Sequence, residues 1–420
     1  MKLLSDNTIL VEESKPPMPA GQLRSLKMDM LFYGVSCVLF WTVLLVQIPF
    51  ISKYFGGINV IFYVPLVYGL FSNVSRLFLI YLQGRGDISA ATRLSTFVWL
   101  GAAFTAAGMM SFPLVMWIIG TEHPSLGFAV CLTITSIVGT FNSFLVTGGF
   151  SLMSLVPDGS GQFFLLGLTA TGIITWPFMM FLRFICDQFG LGDSTSFSVA
   201  TISLVFTSLI CLSTIPIYCL KTSKNVYIAD QLNAPVVLLP KVGILPTLRT
   251  IWISALSLWM SRVITFCLYP GILGLWSPQT INVSVEVYRS FLIYLGPLSD
   301  TLGQLVFRYS GWFQKMGLRE LVVITLLRGF VLIPLFVLSA FYDYSNSSFV
   351  SSDWFRGLLM FTFSCSMGIN YSMGNAIAPR QVDTVQEKMN VGAILSFVAS
   401  NGMFIGSLLG IGFKQLLVKV

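Results

Sequence analysis

Eleven apolar runs, each long enough to cross a bilayer as a helix, confine this chain to a narrow set of folds. They lie at about 30–52, 58–82, 95–119, 126–148, 161–186, 197–220, 249–275, 285–309, 320–342, 355–378 and 391–417. Hydrocarbon holds no water to satisfy a backbone N–H or C=O. A spanning run must therefore close its hydrogen bonds within itself, as a helix does. The runs recur along the whole length, and only 10% of the 420 residues are charged, where a soluble domain carries about 25%. The expected fold class is all-α and integral to the membrane, with eleven transmembrane helices. The first run, starting near Met30, reads as a span that doubles as insertion signal. Residues 1–28, with Pro16, Pro17 and Pro19, read as a disordered tail.

The connections are short except 221–248, a polar, proline-punctuated linker. It divides the chain into a six-helix half over 29–220 and a five-helix half over 249–420. Six plus five around a central loop is the layout of the major facilitator type of carrier, whose site lies between its halves. Fourteen Lys and Arg residues fall in the N-terminal tail and in alternate loops, among them Arg85, Lys221, Lys315 and Arg380. The opposite loops hold few, so the positive-inside rule places the N-terminus and linker in the cytosol and the C-terminus outside. The sequons at Asn282 and Asn346 fall in loops on that outer side, which makes both glycosylation candidates.

Several functions are excluded. No GxxxxGK[ST] loop is present for an ATP-driven pump, and neither a channel-filter repeat nor an intramembrane protease pair is visible. The single histidine, His123, sits in a loop, which leaves no metal site, cofactor site or histidine relay. Seven cysteines, all in or at the ends of runs and none in a CxxC pair, read as buried free thiols. A non-enzymatic carrier remains, facilitative or ion-coupled, with a receptor or scaffold as the alternatives.

Polar residues inside the runs mark where such a carrier would work. A charge at membrane depth costs a few kcal/mol or more, so it faces a cavity or a partner. Asp300, Gln304 and Arg308 repeat every four residues and stack on one helix face. Asp300 is the leading substrate-binding candidate; its structural alternative is an ion pair with Arg308, Arg328 or, as first choice, Arg262. Arg308 also lies near the cytosolic edge, where it can snorkel. Asn142 and Thr147 are polar groups that lipid would penalise, so both should face the interior. Trp41 is either a stacking platform or a packing and interface anchor. Arg76, Arg289, Arg328 and Arg356 read as structural. Gly402, Gly406 and Gly410 offer a smooth face for close packing, and Pro270 and Pro334 break helical bonds where flexing could occur.

Several stretches resemble the equilibrative nucleoside transporter family. The segment FTFSCSMGINYSMGNAIAPRQVDTVQEKMNVGAILSFVASNGMFIGSLLG, 361–410, is similar to that family's tenth and eleventh helices. LLRGFVLIPLFVL, 326–338, resembles its ninth helix, and ITFCLYPGILG, 264–274, its seventh. Pro157, Gly167 and Gly172 keep the family spacing, and Trp41-Thr42 stands where the family has Trp-Asn. Asp300-Thr-Leu-Gly303-Gln304 keeps the aspartate and glycine of Asp-x-x-Gly-Arg but replaces the arginine, and Leu168 replaces a family glutamine. The chain is thus identified as a divergent member.

The resemblance implies passage of nucleosides or nucleobases, purines favoured, by alternating access, down a gradient or with protons, in the plasma membrane. On that reading Asp300 accepts hydrogen bonds from ribose hydroxyls or a base amine, Gln304 meets a base edge, and Trp41 stacks on the ring. Loss of the arginine at 304 removes a fixed charge beside Asp300, which motivates proton coupling there. Expected partners are a small-molecule substrate, protons and the bilayer, with no nucleic acid, the protein acting as a monomer.

Overall fold

A computed structural model describes residues 18–54, 60–85, 90–119, 122–156, 161–190, 195–226, 228–229, 243–269, 273, 276–283, 285–341, 349–382 and 385–417. The described chain is a bundle of eleven long helical paths. The first half comprises α1 (Ala20–Tyr54), α2 (Val60–Arg85), α3 (Ala90–Ile118), α4 (Pro124–Leu155), α5 (Gly161–Gln188) and α6 (Thr195–Ile217). The second comprises α7 (Ile244–Leu268), α8 (Val285–Tyr309), α9 (Leu318–Leu327 and Ile333–Phe341, joined by a π turn), α10 (Asp353–Ile377) and α11 (Val385–Leu417). Among the described residues nine of these paths are long and apolar enough to cross a membrane on length and composition alone. The other two, α8 and α10, carry polar residues at mid-length, Asp300 and Gln304 on one and Ser364 and Asn370 on the other. They pack tightly on each other and turn those residues inward.

Several boundaries differ from the sequence reading, each for a local reason. Helix α1 begins at Ala20, directly after the last proline of the tail, so residues 20–28 are helical. Leu26 and Met30 are buried by this extension; residues 1–17 lie outside the described residues. Helix α7 starts at Ile244 and ends at Leu268, well before 275. Tyr269 is extended (φ −111°, ψ 131°), the conformation that a following proline imposes; Pro270 itself lies outside the described residues. In the ninth path the turn Arg328–Leu332 is π-helical. Pro334 has no N–H to offer Phe330 and its ring crowds that turn, so the extra residue absorbs the mismatch.

In the first half α1 packs on α5 and α6, and α3 on α4 and α6; in the second, α7 packs on α11. Gly402, Gly406 and Gly410 all face α7, where a Cβ on Gly406 would lie 2.6 Å from the Val263 carbonyl oxygen. The helices approach at backbone contact there, and Trp259 Nε1 donates to Asn401 Oδ1 at 2.8 Å beside them. The halves meet along two seams, α2 and α4 against α11, and α1 and α5 against α8. The first seam is polar: the Ser72 hydroxyl shares hydrogen bonds with Ser143 at 2.9 Å and Ser400 at 3.2 Å. In the second, Thr301 Oγ1 donates to the Thr169 carbonyl at 2.5 Å, and Gly172 lies against Pro297. Large side chains such as Val74, Phe78, Trp117 and Phe330 stand exposed around the outside, as lipid contact requires. All seven cysteines are free thiols.

Candidate functional site

Between the seams lies a cavity of about 220 Å³, lined from both halves. Five of the six residues singled out as substrate-binding candidates line it: Trp41, Asn142, Arg262, Asp300 and Gln304. Thr147 does not. It is buried, but α4 presents Asn142, Val146 and Phe150 to the cavity, positions four residues apart. One residue beyond Val146, Thr147 is rotated about 100° from the middle of that face.

The Trp41 ring stacks on Tyr68 with centroids 4.5 Å apart and planes 24° from parallel. Asn142 Nδ2 donates to the Tyr68 hydroxyl at 2.9 Å and so fixes that ring; its own Oδ1 is buried with no partner. The aromatic pair thus forms one wall, held from α4.

The second half brings Asp300 and Arg262 to the cavity. Asp300 Oδ1 accepts from Gln304 Nε2 at 3.3 Å, one turn along α8. The anticipated Arg262–Asp300 ion pair is not formed. The Arg262 guanidinium instead lies over the Tyr371 ring, 4.4 Å from its centroid, and its Nε is buried without a partner. The two charges remain close enough to act on each other electrostatically. Stacking on Tyr371 and the local amide bond have satisfied each group in part, which leaves the space between them open.

Backbone geometry sets the position of Asp300. Helices α8 and α10 cross at Gly303 and Gly368, where a Cβ on Gly368 would stand 2.9 Å from Asp300 Oδ1. Behind the crossing, Arg328 is fully buried. Its Nη1 donates to the Phe363 carbonyl and to Ser366 Oγ, both at 2.5 Å, and its Nη2 to Thr265 Oγ1 at 2.7 Å. It ties α9 to α7 and α10 and lies outside the cavity lining.

Gln304 also lines a second cavity of about 360 Å³, which runs between the ends of α4, α5, α8 and α10. Arg308 belongs to this second space, its guanidinium 4.5 Å from the Phe163 centroid. Together the two reach the roughly 300–1,000 Å³ of small-molecule sites. At the other end the halves are closed. Trp176 of α5 stacks on Tyr294 of α8 across the halves at 4.8 Å, while a 2.9 Å hydrogen bond between Thr42 and Thr175 braces the first half and the Tyr269 hydroxyl, donating to the Ile293 carbonyl at 2.8 Å, braces the second. Asn282 stands exposed in the loop before α8; Asn346 lies outside the described residues.

Tyr68, Arg76 and Ser396 also line the cavity, although the sequence reading named neither Tyr68 nor Ser396 and took Arg76 as structural. The signal was there for the first two, because Tyr68, Ser72 and Arg76 repeat every four residues, the same pattern that exposes Asp300 and Gln304. Arg76, expected to be structural, does tie the seam, since its Nη1 donates to the Ser396 carbonyl at 2.6 Å; its Nε has no partner.

No family model matches the chain. Equilibrative nucleoside transporter 2 of Mus musculus is 27% identical over 183 residues, 42% of this chain and 39% of that protein. The match therefore spans about two fifths of the relative's length. Among solved structures, the xylose transporter XylE from E. coli has a TM-score of 0.56 at 10% identity, covering 95% of this chain and 98% of its own. The nucleoside transporter NupG has a TM-score of 0.53 at 12% identity over 93% and 91%. FucP, a major facilitator superfamily transporter in an outward conformation, has 0.53 at 9% over 94% and 98%. At such identities the likeness is one of fold. The chain is a multi-pass helical membrane protein whose fold is similar to those of these transporters.

Proposed function

We propose that the protein is a carrier that moves nucleosides or nucleobases, purines favoured, across the membrane by alternating access, with its substrate site in the central cavity. The observation that carries this reading is the pair of charges, Asp300 and Arg262, lining one cavity between two halves without closing on each other. A receptor or scaffold has no use for two such charges in its core, where each is costly. A carrier has: hydrogen bonds to charged groups are the strong ones, and a ligand supplies what the helices withhold. Trp41 on Tyr68 offers a flat platform for a base, and Asp300 with Gln304 offers acceptors and a donor for hydroxyls or ring edges. Sequence likeness to the mouse nucleoside transporter supports this choice over another small polar solute such as a sugar, the cargo in XylE's name.

On this reading the second cavity is the path to the cytosol, the Trp176–Tyr294 stack is the outer closure, and the arrangement is inward-facing. The N-terminus and linker are cytosolic, the C-terminus lies outside, Asn282 is accessible to glycosylation, and the plasma membrane is the site of action. Proton coupling through Asp300 predicts uptake that rises as external pH falls, and flat pH dependence refutes it.

The test is uptake of radiolabelled adenosine, uridine and hypoxanthine by cells expressing the full chain, beside Asp300→Ala with surface expression measured. Saturable uptake lost in the variant supports the reading. A well-expressed wild type that takes up none of the three overturns it.

A further inference from the structure

We infer that Arg76 and Arg262 form an anion subsite within the central cavity. The solute held there then carries a carboxylate, a phosphate or a deprotonated ring beside its planar part. The inference rests on the central cavity being the solute site.

Arg76 on α2 and Arg262 on α7 come from different halves and line the same space. Arg76 is only 9% exposed, yet it is not fully satisfied: Nη1 is bonded to the Ser396 carbonyl, while Nε is buried with no acceptor. Arg262 is half-buried, and its ring contact to Tyr371 likewise leaves Nε unpartnered. Beside them the Ser396 hydroxyl is also buried without a partner. Three residues that line the cavity, on α2, α7 and α11, thus each keep a donor with no acceptor.

The fixed charges of the lining point the same way. Among the described lining residues Arg76, Arg262 and Asp300 are those of ordinary fixed charge, so cations exceed anions by one there. Asp300 already accepts from Gln304 on α8. A neutral ligand could satisfy the open N–H groups but not the excess charge; an anion does both. Two like charges in one cavity, one buried and one half-buried, are unfavourable without such a partner, and guanidinium bonds to carboxylate or phosphate are among the strong ones available.

The experiment compares matched neutral and anionic ligands on the purified full-length protein in detergent, read by thermal shift over a concentration series. The pairs are uracil with orotate and uridine with uridine 5′-monophosphate, which differ by a carboxylate and a phosphate. The expected result is that the anionic member of at least one pair binds about tenfold or more tightly, and which pair responds identifies the anion. In Arg76→Gln and Arg262→Gln the gap between pair members closes, and in Arg262→Lys it is partly restored. If the glutamine variants do not fold, the wild-type gap and its decline with added salt still decide. Neutral ligands binding as tightly as their anionic partners overturn the subsite and leave the nucleoside carrier standing. No shift with any of the four overturns the subsite and leaves the carrier reading to the uptake test, and a gap that persists in both glutamine variants overturns the assignment to these arginines.

Discussion

Replacing Gly368 by alanine adds one methyl group at the crossing that holds Asp300, and the local geometry sets its cost. The new Cβ would stand 2.9 Å from both the Asp300 carbonyl carbon and its Oδ1, with the carbonyl oxygen closer still. Ordinary carbon contacts lie at about 3.5–4.0 Å, so α8 and α10 must part by at least ~0.6 Å. The obstacle is helix backbone, which cannot rotate away as a side-chain tip can. Overpacking of this kind costs about 1–3 kcal/mol, partly offset by about 0.5–1 kcal/mol from replacing glycine inside a helix. The expected balance is a loss of up to about 2 kcal/mol. Gly357, on the same helix, supplies the control: a Cβ there meets nothing within 4 Å, so Gly357→Ala should gain the helical term and melt higher. Melting of the two purified variants, with adenosine uptake at equal surface expression, measures the contrast. Gly368→Ala should melt lower and transport less, because Asp300 has moved with its helix. If both variants melt and transport alike, the tight crossing is not what positions Asp300.

Other contacts carry expected outcomes of their own. Arg328→Gln removes a buried cation from three acceptors and should cost about 1.5–3 kcal/mol or more; an unchanged melting temperature would show that the tie between α7, α9 and α10 is not needed. Trp41→Ala removes a platform worth roughly 1–3 kcal/mol per stacked base, so half-saturation for adenosine should rise at least about fivefold, and an unaltered value would exclude stacking at that ring. Thr147→Val, on the face of α4 turned from the cavity, should leave half-saturation unchanged, whereas Asn142→Ala, which frees the Tyr68 hydroxyl, should raise it; the reverse ranking would contradict the lining assigned to α4. Trp176→Ala with Tyr294→Ala removes the stack closing the far end, and a cysteine placed at Thr42 should then react faster with an impermeant thiol reagent added from outside.

Hydrophobic length and charge placement are properties of the chain itself, and they determined most of the architecture. A run of some twenty apolar residues has one stable form in a bilayer, so the eleven helices and the six-plus-five division were legible before any contact was known. Spacing alone also brought Asp300 and Gln304 to one face, because the helical period fixes which residues align. What it could not give was the partner across the gap. Arg262 and Asp300 sit on neighbouring helices and carry opposite charge, yet the pair stays open. Tyr371 of α10 stacks on one and Gln304 of α8 bonds the other, and both choices depend on helix rotation and approach. Thr147 and Arg76 show the same division: each is polar inside an apolar run, but only the packing of α4 and α2 against α11 decides which of them meets the cavity.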